Sequence, residues 1–477
     1  MKVAIVHYHL KPGGVTRVVE NAYASLVGKG VEIVALAGEP YMGDSPMLTA
    51  VVPGLGYTQA NEKPDPGALW FSLKQAAREA LGSEPDVWHI HNHCLGKNMA
   101  MPQVVDRLAQ ETPVLLQIHD FAEDGRPGNY AAIASQTTNM DLLYPQASQV
   151  HYGLLNSRDL SFLSQSGFAS QSLHLVPNPI SVPELSAERA TLAGFEERKL
   201  ILYPTRAIRR KNLGELLLWA ALSEGGETFA TTLTPANPTA LPVYNRWMEF
   251  AGELSLPVRF ALGESVTLSF PELMSSADAI ITTSVAEGFG LAFLEPYLFG
   301  KPLVGRNLSD ITCDFTNTDV DLGSLYDRLM VPIDWVGVGE VRDVLAHALC
   351  DYYDAYNRDL PLEAIDNAFD AMTDGDRIEF GRLSEALQEK VIARVQADPS
   401  LRSVVAPQQL GIASAADCVA ANREVIAQNF NLERYGQNLA AIYAKVANSP
   451  VEPLERMSHT AVLDQFLDPR RFNLLRT

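Results

Sequence analysis

The chain has 477 residues, with 37 Lys and Arg against 57 Asp and Glu, and a formal charge of −20 at pH 7. That length holds two or three domains, and 47% hydrophobic with 20% charged residues excludes a disordered or fibrous protein. The acidity excludes non-specific binding to nucleic acid or to an anionic membrane, since both would be repelled. The first 180 residues carry net −5 and the remainder net −15, so neither part offers a polybasic face. Cys94, Cys313, Cys350 and Cys418 show no CxxC spacing and read as reduced cytoplasmic thiols. No run approaches the ~20 apolar residues of a membrane span. The expected location is the cytoplasm.

In chain order, short apolar runs alternate with helical patterns, the signature of parallel sheets covered by helices. Lys2 to Tyr8 reads as a strand ending in the turn Pro12-Gly13-Gly14, and apolar Val15, Val18, Val19, Ala22 and Leu26 then repeat at helical spacing. Strands follow at VEIVALA, DVWHI, PVLLQIH, VHYGLL and SLHLVP. The Pro-rich stretch Pro177 to Pro183 suits a linker. A second series starts with KLILYPT near residue 199 and runs through NLGELLLWAAL, TFATTLT, VYNRWMEFAGEL and DAIITTS to EGFGLAFLEPYLFG, read as a helix from about Gly290. From about 338 to 447 the pattern is mostly helical, including IEFGRLSEALQEKVIARV read as one helix. These are expected to form a layer on the second domain.

Four clusters could carry chemistry. Gly13 and Gly14 would let a ligand approach the N-terminus of the first helix, or simply make a tight turn. Arg206, Arg209, Arg210 and Lys211 place four cations in six residues where a strand gives way to a helix. That arrangement suits a diphosphate, with a solvated basic turn as the alternative. Glu287 and Glu295 flank GFGLAFL and offer carboxylates to sugar or ribose hydroxyls. His89, His91 and His93 alternate at a strand end and could ligate zinc, although no second cluster completes a tetrahedral set. His119 closes PVLLQIH and is the better candidate for touching a substrate.

These motifs, in this order, resemble the retaining nucleotide-sugar glycosyltransferases of family 4, which have the GT-B fold. The resemblance runs through HLKPGGVTRVV, DVWHIHNH, LLQIHDF, LHLVPNPI, TRAIRRKN and ADAIITTSVAEGFGLAFLEP, and closes on NREVIAQNFNLERYGQNLAAIYAKV. It implies an α/β protein of two Rossmann-like domains facing across a cleft, with extra C-terminal helices. The domains would be 1–180 on the acceptor side and 187–425 on the donor side, the latter with a helical insertion at about 316–421. Residues 426–477 would cross back to the first domain.

By motif match, Arg206 and Lys211 would hold the donor diphosphate, assisted by Gly13 and Gly14. Glu287 would sit by the sugar hydroxyls and Glu295 by the ribose, with Gly288, Phe289, Gly290 and Leu291 completing the donor loop. His119 would contact the transferred hexose. The catalytic set implied is His119, Glu287, Arg206 and Lys211. The resemblance implies no metal and no cofactor beyond a UDP-, GDP- or ADP-hexose co-substrate. Departures from the family are Pro296 after Glu295 and RNLSDITCDFTNTDVD after GKPLVG.

For the acceptor, FAEDGRPGNY offers Arg126, Asn129 and Tyr130, with a solvated loop as the alternative. The charge balance favours a small soluble acceptor, such as a sugar, sugar phosphate or polyol, over nucleic acid or membrane. The helical region offers a surface for a homo-oligomer. Competing functions are a reversible disaccharide synthase or phosphorylase of the same fold, a metal-dependent hydrolase using His89, His91 and His93, and a non-catalytic nucleotide-sugar binder.

Overall fold

A computed structural model describes the chain except residues 60–61, 138, 184–191, 193–194, 196–197 and 477. The chain divides into two compact units. Unit 1 comprises residues 1–181, 355–357 and 430–467, and unit 2 comprises 182–354, 358–429 and 468–477. The division falls inside the Pro-rich stretch, and the start expected for the second domain, 187, lies outside the described residues. The last ten residues count with unit 2 rather than with the helices that precede them.

Unit 1 is built on β1 (Lys2–Val6), α1 (Gly14–Leu26), β2 (Glu32–Ala37), β3 (Leu48–Val51), α2 (Pro66–Leu81), β4 (Val87–His91), α3 (Met101–Ala109), β5 (Val114–Ile118), α4 (Pro127–Gln136), β6 (Pro145–Gln146), β7 (Val150–Leu154), α5 (Ser157–Gln165) and β8 (Leu173–Leu175). Seven strands pair in the order β3-β2-β1-β4-β5-β7-β8, and every pairing is parallel. Strands β4, β5 and β7 are buried along their whole length, which is why they read as continuous apolar runs rather than alternating ones. The order reverses between β1 and β4, the switch point at which open parallel sheets bind ligands.

Helices α2 and α4 of unit 1 are among the elements that escape the sequence analysis. Helix α2 carries its signals plainly: Asp65 accepts from the Ala68 amide at 2.9 Å, Pro66 opens the helix, and Gly82 ends it in the left-handed region. Helix α4 occupies the stretch offered above as an acceptor loop, beginning at Pro127.

Unit 2 begins with β9 (Lys199–Arg206), α6 (Leu213–Leu222), β10 (Glu227–Leu233), α7 (Leu241–Glu253), β11 (Val258–Arg259), α8 (Leu262–Ser265), α9 (Phe270–Ser276), β12 (Ala279–Thr282), α10 (Glu295–Leu298), β13 (Leu303–Gly305) and α11 (Ser309–Thr316). Its sheet is also parallel, in the order β11-β10-β9-β12-β13, with the switch point between β9 and β12. All ten residues of α6 are buried, as an all-round apolar helix requires.

The remainder of the chain adds β14 (Met330–Pro332), α12 (Val338–Ala355), α13 (Ala364–Met372), β15 (Thr373–Asp374), β16 (Arg377–Glu379), α14 (Glu385–Ala397), α15 (Ile412–Asp417), α16 (Val419–Asn429), α17 (Leu432–Ala447), β17 (Glu455–Arg456) and α18 (His459–Phe466). The layer is not purely helical, because β14, β16 and β15 form a small antiparallel sheet. The helix expected from Ile378 starts only at Glu385, since Arg377–Glu379 pair with β14 first.

Strand β16 explains the departure after GKPLVG. Arg306 is 5% exposed, and its guanidinium donates to Glu215 on α6 at 2.5 Å and to Glu379 on β16 at 2.6 Å. Tyr326 also donates to Glu215, at 2.7 Å. Burial raises the pKa of Glu215 while Arg306 opposes it. Removing the cation would strand two buried carboxylates. Arg306→Met is therefore expected to destabilise unit 2 by roughly 3–5 kcal/mol, read as a lower urea midpoint.

Helix α17 belongs to the core of unit 1. Tyr435, Leu439, Ile442, Tyr443 and Val446 pack with Val3, Ile5, Val19 and Leu26. The approach to α1 is close enough to require glycine at 436, where a Cβ would lie 2.7 Å from the Ser25 Cβ and carbonyl oxygen. Strand β17 pairs with β6 in a separate two-stranded ladder. Among the described residues no helix is long and apolar enough to cross a membrane.

Candidate active site

In unit 2 the cationic turn follows β9 and the Glu287 loop follows β12, so the two lie on either side of the switch point. The backbone ties them together. Thr283 donates its hydroxyl to the carbonyls of Lys211 and Asn212, both at 3.0 Å, and the Val285 amide donates to the Arg210 carbonyl at 2.9 Å. Asn212 takes the left-handed conformation with φ 51°, which a short polar side chain tolerates better than most. Gln388 on α14 donates to the Asn212 side chain at 2.9 Å and fixes it.

The side chains divide the four cations unequally. Arg209 pairs with Glu385, its Nη2 2.9 Å from Oε2. Arg210 donates to Glu287 at 3.1 Å, and Lys211 donates to the other oxygen of the same carboxylate. Arg206 is exposed at the end of β9, with no ion pair among the described residues. Burial lowers the Lys211 pKa, against the pull of Glu287. Burial would raise the Glu287 carboxyl, but Lys211 and Arg210 hold it below the ordinary carboxylate range. The Glu287 carboxylate is therefore ionised at neutral pH and lies against both cations. The cluster presents Arg206 and one shared positive charge, about half of what its composition suggests.

The loop after Glu287 turns at Gly290, where φ is 91° and a Cβ would lie 3.0 Å from Ile311. The helix expected from there does not form in one piece. A single 3-10 turn covers Leu291–Phe293, and Glu295 is instead the first residue of the one-turn α10. Pro296 accounts for this, because it favours the first turn of a helix and cannot donate in a later one. Phe289 is buried and packs edge-on against Phe315 with ring centroids 5.6 Å apart, while Gly288 is half-buried and Leu291 exposed.

Unit 1 presents its own switch-point edge. Gly13 precedes α1 and Gly14 is its first residue, and a Cβ on Gly14 would meet nothing within 4 Å. Packing inside the chain therefore does not demand glycine at 14. Asn92, with φ 55°, clamps the edge: its side chain accepts from the amides of His119 at 2.7 Å and Asp120 at 3.2 Å, and its carbonyl accepts from Tyr8 at 2.6 Å. This positioning residue was missed, although it stands inside the HIHNH motif.

The histidines do not converge on a metal. Both ring nitrogens of His89 are engaged, by the Tyr443 hydroxyl at 2.7 Å and by Gln117 at 2.9 Å, and His93 faces the Leu143 carbonyl at 2.8 Å. Among the described residues no group of three potential ligands is placed to hold an ion. The reading of His89, His91 and His93 as a hydrolase centre loses its support.

His91 instead pairs with His119, Nδ1 to Nε2, at 2.8 Å. Burial lowers the His119 pKa to about 4, with Asp120 opposing, and holds His91 well below the ordinary histidine value. Both rings are thus neutral, and one proton lies between them. His91 Nε2 is buried without a partner among the described residues. A bare lone pair there costs less than an orphaned N–H, so the shared proton sits on His91. His119 then accepts through Nε2 and carries its own proton on Nδ1.

The residues offered for an acceptor are tied down. Arg126 donates to Asp120 at 2.5 Å and to the Phe121 carbonyl at 3.2 Å, and its side chain is 36% exposed. Asn129 donates to the Leu95 carbonyl at 2.9 Å. Tyr130 is buried edge-on against Tyr356, with ring centroids 5.2 Å apart.

No family model matches the chain. It is 27% identical over 418 residues to the mannosylglucosyl-3-phosphoglycerate synthase of Petrotoga mobilis, covering 81% of this chain and 79% of that protein. Among solved structures it resembles HepE of Anabaena in complex with UDP and glucose, with TM-score 0.53, 15% identity, and coverage of 93% of this chain and 99% of that one. It also resembles sucrose-phosphate synthase of Thermosynechococcus elongatus, with TM-score 0.52, 15% identity, and coverage of 93% and 98%. The chain has the GT-B fold of glycosyltransferases, with two Rossmann-like domains.

Proposed function

We propose that the protein is a retaining, metal-independent hexosyltransferase of family 4, using a nucleotide-diphosphate sugar as donor. The observation that carries this reading is the placement of Arg206, Arg210, Lys211 and Glu287 across the switch point between β9 and β12. In this reading unit 2 binds the donor. Arg206 and Lys211 hold the diphosphate, the loop of Gly288, Phe289, Gly290 and Leu291 lies along it, and Glu295 meets the ribose. Glu287 orients Lys211 and accepts from sugar hydroxyls.

Unit 1 takes the acceptor side. Gly13 and Gly14 open a helix N-terminus to the diphosphate, and His119 offers its Nδ1 proton to a hydroxyl of the transferred hexose. The anomeric C–O bond to the diphosphate breaks, and the acceptor oxygen bonds to that carbon on the same face. The acceptor's proton passes to the departing phosphate oxygen. Charge grows on the diphosphate in this step, so cations fixed beside it act in the transition state, where they raise the rate.

For the acceptor we favour a small anionic glycoside or acid of the phosphoglycerate type. The name of the Petrotoga relative and the third-exposed Arg126 beside α4 support it. Asn129 and Tyr130 then shape the turn that presents Arg126. The test is incubation with UDP-, GDP- and ADP-hexoses and with 3-phosphoglycerate or glucosyl-3-phosphoglycerate, followed by mass spectrometry and proton NMR of the anomeric centre. The expected product gains one hexose and keeps the donor's configuration. Inversion would refute retention, and failure with every nucleotide sugar would refute the reading as a whole.

A further inference from the structure

A polar cavity lies at the edge of the unit 2 sheet opposite the cationic turn. Its volume is about 680 Å³, and its walls come from Arg198 just before β9, the ends of α6 and α7, β11, α14 and the turn after it. Three arginines line it from separate parts of the chain: Arg198 precedes β9, Arg259 ends β11, and Arg402 lies in the 3-10 turn after α14. One carboxylate, Glu224, also lines it. None of the three guanidinium groups has a carboxylate partner among the described residues. Arg198 makes a long contact of 3.4 Å to the Thr228 hydroxyl, and the Nε of Arg402 is buried with no partner among the described residues.

Arg209, Arg246 and Arg306 of the same unit, by contrast, each pair with a glutamate. Among the described lining residues, three guanidiniums against one carboxylate leave a net charge of about +2, the match for a phosphate monoester of about −2. Guanidinium forks bind phosphate oxygens two at a time. The volume falls in the range of small-molecule sites, roughly 300–1,000 Å³, and exceeds what a bare phosphate fills. The eight residues of β9 separate this edge from Arg206 by about 25 Å, so it is not part of the donor site. We infer that the cavity between Arg198, Arg259 and Arg402 is a binding site for a small phosphorylated metabolite of sugar-phosphate size.

The test is calorimetric titration of the full chain with glucose 6-phosphate and, separately, with inorganic phosphate. Arg206→Ala serves as the control for binding at the donor edge. Saturable binding of glucose 6-phosphate is expected, unchanged in Arg206→Ala and weakened at least about tenfold in Arg259→Glu. Arg259 is exposed, so its replacement spares the fold. Arg402→Gln, checked by its melting temperature, is expected to weaken binding similarly. Absence of binding at millimolar concentration would overturn the site, as would binding lost in Arg206→Ala and kept in Arg259→Glu. Inorganic phosphate binding as tightly as glucose 6-phosphate would overturn the ligand class.

Discussion

Lys211→Ala is expected to lower kcat for hexosyl transfer by roughly 10²–10³-fold, the cost of removing one fixed charge from a site of developing negative charge. Lys211 sits in a half-buried pair with Glu287, so its loss leaves that carboxylate with Arg210 alone. Some loss of stability accompanies it, and a melting curve on the same sample separates the two effects. Arg206→Ala makes the cleaner comparison, because Arg206 is exposed and lacks an acidic partner among the described residues. Its melting temperature should match the parent, while kcat/KM for the donor falls by a comparable factor. Activity retained in both variants would show that these cations do not meet the leaving group.

Mild acid is expected to unfold unit 1 well before unit 2. His7 and His89 have their pKa lowered to about 3 by burial, and His93, His119, His151 and His174 to about 4. A histidine held neutral in the folded state binds its proton more readily when unfolded. Its contribution is therefore intact above the unfolded value of 6.5 and is lost as pH falls from there toward 4. Each fully buried ring is worth roughly 3 kcal/mol across that window, at about 1.4 kcal/mol per pKa unit. His151 and His174, more open to solvent, count for less.

Glu123 acts in the opposite sense. Burial raises its pKa to about 7, so folding favours its proton and stability returns as pH falls from 7 toward 4.5. One such carboxyl offsets about one histidine, which leaves a net loss of several kcal/mol by pH 5. The histidines named all lie in unit 1, whereas His347 of unit 2 is exposed. Hydrogen exchange at pH 7.5 and 5.5 reads this by segment. Protection should fall in β1, β4, β5 and β7 and persist in β9, β10 and β12. Equal loss in both sets would contradict it.

The sequence made the two parallel sheets legible because their central strands are buried on both faces and stand out as apolar runs. The switch-point clusters were legible for a related reason: they occupy the turns that follow β1, β4, β5, β9 and β12. Three features were not. The division of charge among Arg209, Arg210 and Lys211 depends on Glu385, which lies 176 residues from Arg209. Spacing along the chain carries no trace of such a pair. Asn92 acts through its backbone conformation and a side-chain oxygen shared by two amides, and composition does not register that. Strand β16 is three residues long and leads into a helix, so its apolar pattern merged with that of α14.

The arginine-lined cavity was invisible for the same physical reason as the Arg209 pair. Arg198, Arg259 and Arg402 are scattered over 204 positions, and only the fold gathers them. In the sequence the basic residues at 206–211 were conspicuous by their crowding. In the structure an unpaired guanidinium is the more telling feature, and Arg206 has that property within the crowded set.

The most direct measurement of the central claim is a calorimetric titration of UDP, GDP and ADP into the parent protein and into Arg206→Ala. At least one diphosphate is expected to bind the parent saturably, and its affinity should fall at least about tenfold, or 1.4 kcal/mol, in the variant. An affinity unchanged by loss of Arg206, or no binding of any of the three, would contradict the account.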